Sequence, residues 1–136
     1  MTSARITFHV NAKRNDAHSS SAYCKEANLL IDTNLAGRVD AFNPAELLLA
    51  ALAACMIKGI ERVTPILKFQ LRGVEVDLNG VRQDSPPKME SIHYVIRVDT
   101  DESDHRLALH DNVKKFGTVF NTVSLGTELS GELIRK

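Results

Sequence analysis

The stretch NPAELLLAALAACMIKGIERVTP, residues 43–65, limits what this chain can fold into more than any other. Between Leu47 and Ile57 the only side chain with any polarity is the thiol of Cys55. The start of a helix is written into it: Asn43 suits the N-cap, Pro44 the first helical position, and Glu46 stands three after the cap, as in a capping box. Pro65 is expected to stop the helix, because proline has no N–H to continue the ladder. At ~1.5 Å per residue the element is about 30 Å long. A helix apolar on every side for most of its length must be covered on more than one side. In a chain of 136 residues a second chain is expected to supply part of that cover.

The rest of the composition fits one soluble globular domain over residues 1–136. Basic and acidic residues balance at 17 each and 43% of residues are hydrophobic, which excludes a disordered or fibrous chain. Basic residues cluster only in pairs such as Lys13-Arg14 and Lys114-Lys115, so neither nucleic acid nor an anionic membrane is an expected partner. The opening MTSARITFHV lacks a signal pattern, and a cytoplasmic location is expected. The apolar run of the long helix is far shorter than the roughly 20 residues a bilayer requires. Cys24 and Cys55 do not form a CxxC motif; in a reducing compartment they are expected as free thiols.

Alternation marks the strands. In RITFHV, Ile6, Phe8 and Val10 alternate with Thr7 and His9, predicting a half-buried strand before a turn at AKRND. SSSAYCKEANLLID supplies one or two more strands, and Gly37 lies in the connection to the helix. GVEVDLNGVRQ and SIHYVIRVDT read as an antiparallel pair joined at Pro86-Pro87. TDESDHRLALHDNVKKFG reads as a second helix, with acids at its start, lysines at its end, Gly117 as C-cap and Leu109, Val113 and Phe116 as its buried stripe. TVFNTVSLG is short helix or irregular, and TELSGELIR a last strand. The class is α+β.

Cys55 has two readings. A free cysteine is among the most buried residue types, so it can be packing. As a nucleophile it must be a thiolate; it lies well past the first helical turn, so stabilisation has to come from a cation. Lys58 and Arg62, three and seven positions on, share its face, although Arg62 also reads as a solvated helix end pairing with Glu61. Lys13 and Arg14 stand near the first hairpin turn. No metal is expected: His105 and His110 diverge by roughly 140° on a helix, and His9 and His93 fall on separate strands.

NPAELLLAALAAC resembles the helix of the OsmC/Ohr family of thiol-dependent peroxidases, with Asn-Pro opening the helix and the cysteine at the same spacing. The order of elements is similar, and FGTVFNTV resembles the family's Tyr-Cys-Pro-Val-Ser-Asn-Thr-Leu stretch. The resemblance implies antiparallel sheets around a long central helix in an intertwined α+β homodimer. It implies that Cys55 reduces an organic or inorganic hydroperoxide and becomes a sulfenic acid, with no cofactor beyond an external thiol reductant. Arg14 falls where the family's thiolate-holding arginine is expected. Two positions depart from the pattern. Gly117 and Thr118 replace the resolving cysteine and its proline, and Ala45 replaces the acid after the helix-opening proline. Glu46 is next to Ala45 but rotated about 100° from it, on the face opposite Cys55. Cys24 could resolve Cys55 only with Cα atoms within about 7 Å; otherwise an external thiol reduces the sulfenic acid directly. The rival expectation is a catalytically degenerate member that acts as a small-ligand-binding or regulatory dimer, with an apolar ligand in place of the peroxide.

Overall fold

The computed structural model describes residues 5–111 and 117–136, with residues 108–111 by backbone alone. The expected stripe of Leu109, Val113 and Phe116, and the lysines closing that helix, lie outside the described side chains. Two compact units divide the chain, one ending at Leu47 and the other beginning at Leu48.

The first unit holds an antiparallel sheet of β1 (Asn11–Asp16), β2 (Ser19–Cys24) and β3 (Ala27–Ile31), in that order. The strand expected over residues 5–10 is not formed, and the segment expected to turn, from Ala12 to Asp16, is itself strand. The turn comes later, and Asp16 makes it: its Oδ1 accepts the N–H groups of His18 (2.8 Å) and Ser19 (3.1 Å). Ile6, Phe8 and Val10 alternate as expected, yet alternation needs a neighbouring strand; they stay 76%, 80% and 62% exposed. Lys25, at φ 55, turns β2 into β3. After β3 the chain is organised around Asp32, which is 5% exposed. Its Oδ1 accepts from Asn34 N–H and its Oδ2 from Arg38 N–H, both at 2.9 Å, around Gly37 at φ 86.

Helix α1 (Pro44–Leu67) starts in the first unit and runs into the second. There it is followed by β4 (Gly73–Asp84), β5 (Pro87–Asp99), α2 (Asp104–Asp111), α3 (Thr118–Val123) and β6 (Glu128–Arg135). Leu52, Met56 and Ile60 recur every fourth residue and form the buried stripe of α1, with Gly59 beside it. They share one core with Ile92, Tyr94, Ile96 and Val98, the alternate residues of β5, and with Phe69 and Leu107. Each fully buried aliphatic there contributes about 1.5–3 kcal/mol.

Three expectations are corrected in this unit. The helix does not stop at Pro65; one lost ladder bond in the last turn is tolerated, and α1 ends two residues on. Lys68 at φ 52 ends it, with Phe69 N–H bonded to the Thr64 carbonyl (2.9 Å) and Lys68 N–H to the Pro65 carbonyl (3.3 Å). The Arg106 guanidinium donates to the Leu67 carbonyl and lies over the Phe69 ring. Second, β4 and β5 are antiparallel as expected, but β6 joins β5 in parallel, so this sheet is mixed. Residues 100–127 provide the long connection that a parallel neighbour requires. Gly131 stands opposite Tyr94, where a Cβ would run into the Tyr94 carbonyl and ring. Third, Gly117 is not the left-handed C-cap of a helix; at φ −78 and ψ 139 it is the extended N-cap of α3. Among the described residues no helix is long and apolar enough to cross a membrane.

Candidate functional site

Helix α1 is opened by the capping box its sequence announces. Glu46 N–H donates to Asn43 Oδ1 (2.8 Å) and Asn43 N–H donates to Glu46 Oε1 (3.0 Å). That engagement gives Glu46 a structural task at the helix start, on the side turned about 180° from Cys55. The fixed start also sets the rotation of every later residue. Leu52, Met56 and Ile60 face the core, and Cys55 lies about 90° from the centre of that stripe.

Cys55 is a free thiol, neither sealed nor fully open. Leu48 (38% exposed) and Ala51 precede it on the same flank, and the exposed Lys58 and Arg62 follow. Residues three apart on a helix hold their Cβ atoms about 5–6 Å apart, so a lysine at position 58 can bring its ammonium to the sulfur. The thiol thus sits where an apolar stretch of helix gives way to two cations.

The first-hairpin cations are not at a turn. Lys13 and Arg14 lie within β1, exposed, opposite Ser21 and Ser20 of β2. Both line a hollow that also takes in Pro44 and Leu47 of the first turn of α1. Ser20 and Thr33 share it. Neither was singled out from sequence, because strand register and a loop bring them there and no local motif signals it. Cys24 ends β2, partly covered and free. It lies four residues beyond Ser20, the cross-strand partner of Arg14, hence about 13 Å along the strand. The structure therefore does not bring Cys24 to Arg14. Arg14, Glu46 and Cys24 belong to the first unit; Cys55, Lys58 and Arg62 belong to the second. Ala45 leaves no acid after Pro44, and the buried Gly117 offers no thiol.

Hydrogen bonds set the charge state of the first unit. The N–H groups of His18 and Ser19 hold the Asp16 carboxyl below its ordinary value, although solvent touches it. Arg38 binds Asp40 through two N–H groups at 2.8 Å, which lowers the Asp40 pKa and raises that of the arginine.

Residues 37–130 match the family model described as OsmC-like protein, and the chain belongs to that family. Solved structures agree on the fold. An OsmC-like protein from Mycoplasma pneumoniae superposes with a TM-score of 0.85 at 17% identity, covering 97% of this chain and 99% of its own. The organic hydroperoxide resistance protein OhrB of Bacillus subtilis gives 0.68 at 18%, covering 94% and 98%. An organic hydroperoxide resistance protein from Legionella pneumophila gives 0.70 at 18%, covering 96% and 98%. No curated protein sequence matches the chain.

Proposed function

We propose that this chain reduces hydroperoxides through Cys55. The observation that carries the reading is the place of that sulfur: partly open, off the core stripe of α1, one turn before Lys58. The cation holds the thiolate, and the apolar flank formed by Leu48 and Ala51 receives the organic part of the substrate. The thiolate attacks the distal peroxide oxygen; the S–O bond forms as the O–O bond breaks, and a proton goes to the departing alkoxide. Cys55 becomes a sulfenic acid and the peroxide an alcohol, or water when the peroxide is inorganic. One external thiol then condenses with the sulfenic acid, releasing water and leaving a mixed disulfide. A second external thiol restores Cys55 and leaves as the external disulfide.

Arg14 is the second cation in this reading, contributed within a homodimer, and Glu46 serves the helix cap. An external thiol is preferred to Cys24 as the resolving group. The exposed alternation of Ile6, Phe8 and Val10 supports the dimer, since a strand-patterned segment without a partner strand among the described residues can pair with a second chain. A cytoplasmic, thiol-reducing setting suits the cycle.

The test is stoichiometric. Reduced protein is mixed with one equivalent of cumene hydroperoxide and its mass measured with and without a sulfenic-acid trap. One trapped oxygen at Cys55 is expected, with loss of peroxide consumption in C55S and a roughly tenfold slower reaction in K58Q. A Cys24–Cys55 disulfide would replace the one-cysteine cycle with a two-cysteine one. The buried Gly117 and the alanine at 45 favour one second reading, a dimer that binds an apolar ligand without turnover. An unreactive Cys55 in protein that still binds such a ligand would select it.

A further inference from the structure

Two co-reactants must reach the sulfur of Cys55 in the cycle above, a hydroperoxide and an external thiol, and α1 offers them different surfaces. Toward the helix start the flank carries Leu48 and Ala51, without charge. Toward its end it carries Lys58 and Arg62, both exposed. Arg62 stands seven residues beyond Cys55, within about 20° of the same line and about 10 Å along the axis. Helical side chains lean toward the N-terminus, so the ammonium and the guanidinium both reach back toward the sulfur. Elsewhere in this unit arginines are paired. Arg72 meets Asp99 and Asp101, Arg82 meets Asp84, Arg106 meets Glu102 and Arg135 meets Asp104, all within 3.5 Å. Arg97 stands opposite Glu75 in the sheet. Among the described residues neither Lys58 nor Arg62 meets a carboxylate. Glu61 is the acid nearest them in sequence, and it lies about 120° round the helix from Cys55. Two uncompensated positive charges thus stand on the side of the sulfur that the hydroperoxide's hydrocarbon leaves free. The buried Gly117 supplies no thiol, so the second co-reactant comes from outside and has to be held while its S–S bond forms. A carboxylate on that co-reactant gains charge-assisted contacts here that a neutral thiol cannot make.

We propose that Arg62, together with Lys58, selects the external thiol, and that this thiol is a small monothiol with a carboxylate a few bonds from its sulfur. It condenses with the sulfenic acid: the S–S bond forms, the S–O bond breaks, and the hydroxyl leaves as water with the thiol's proton. A second such thiol breaks that S–S bond, restores the Cys55 thiol and leaves as the symmetric disulfide. The inference rests on Cys55 as the reacting thiol, but its test contains no peroxide, so the two readings can fail separately. Reduced full-length C24S protein, whose single thiol is Cys55, is equilibrated with equal amounts of dithiodipropionate, hydroxyethyl disulfide and cystamine, which are anionic, neutral and cationic. The three mixed disulfides are counted by mass spectrometry, each ratio being taken relative to the same protein unfolded in urea. In the folded protein at low salt the anionic adduct should exceed the neutral one about fivefold, and the cationic adduct should be the least populated. High salt should shrink that preference, and R62E in the same background should at least erase it, with circular dichroism unchanged. Equal populations in the folded protein would overturn the proposal. So would a preference for the anion that survives R62E, or a folded Cys55 that takes up none of the three disulfides.

Discussion

Asp32 is buried with both carboxylate oxygens occupied by backbone N–H groups, those of Asn34 and Arg38. Replacing it with alanine leaves two donors unpaired under cover, a loss of about 2–4 kcal/mol. Urea denaturation of Asp32→Ala should show that loss; a change below about 0.5 kcal/mol would mean that the loop does not depend on this carboxylate. Asp16 is solvent-exposed and acts through pH. Its folded pKa lies below the ordinary 3.8, chiefly through the His18 N–H bond. The stabilisation is therefore fully present above that pH and is lost as pH falls through the folded value. Hairpin amide protection factors, corrected for the intrinsic slowing of exchange in acid, should fall on acidification toward pH 3 in the native chain, and Asp16→Asn should flatten that response. Asn43 and Glu46 were legible in the sequence because a capping box is local, three residues apart. Asp32 was not, because its partners are set by a loop path that no short pattern encodes.

Helix α1 shows which element boundaries a sequence carries. Its start depends on side chains and was readable; its end depends on a backbone conformation. Lys68 adopts the left-handed region that glycine occupies at lower cost, and it was invisible beside the apparent stop at Pro65. Lys68→Gly should stabilise the chain by about 0.5–1 kcal/mol, raising the thermal midpoint by a few degrees. An unchanged or lowered midpoint would show that the lysine's own contacts outweigh the backbone strain. For the strands, alternation located β4 and β5 well, since each buries one face. It failed for residues 5–10, whose pattern has no partner strand in the described residues, and it said nothing of direction. Period two is the same for parallel and antiparallel neighbours, so the parallel β6 emerged only from its register with β5.

At the scale of the whole molecule, the sequence argued that α1 needs more cover than one chain supplies. In the structure the stripe of Leu52, Met56 and Ile60 is buried, while Leu48 on the Cys55 flank stays 38% exposed. Ile6, Phe8 and Val10 are exposed as well, and the proposed dimer would cover apolar side chains of this kind. Sedimentation should give twice the 15.0 kDa chain mass, and Phe8→Asp should shift the boundary toward the single chain. A wild-type chain sedimenting at 15.0 kDa would contradict the dimer. The candidate cysteine was legible as a candidate, since the asparagine-proline opening and the cysteine spacing travel together in the sequence; its surroundings were not, because strand register decides them. The most direct measurement is the fate of the Cys55 thiol under one equivalent of an organic hydroperoxide. A stoichiometric sulfenic acid at that residue, absent from C55S, formed more slowly in K58Q and reversed by added thiol, is the predicted result. A Cys55 still fully reduced after the peroxide has been left in contact with the folded protein would contradict the account.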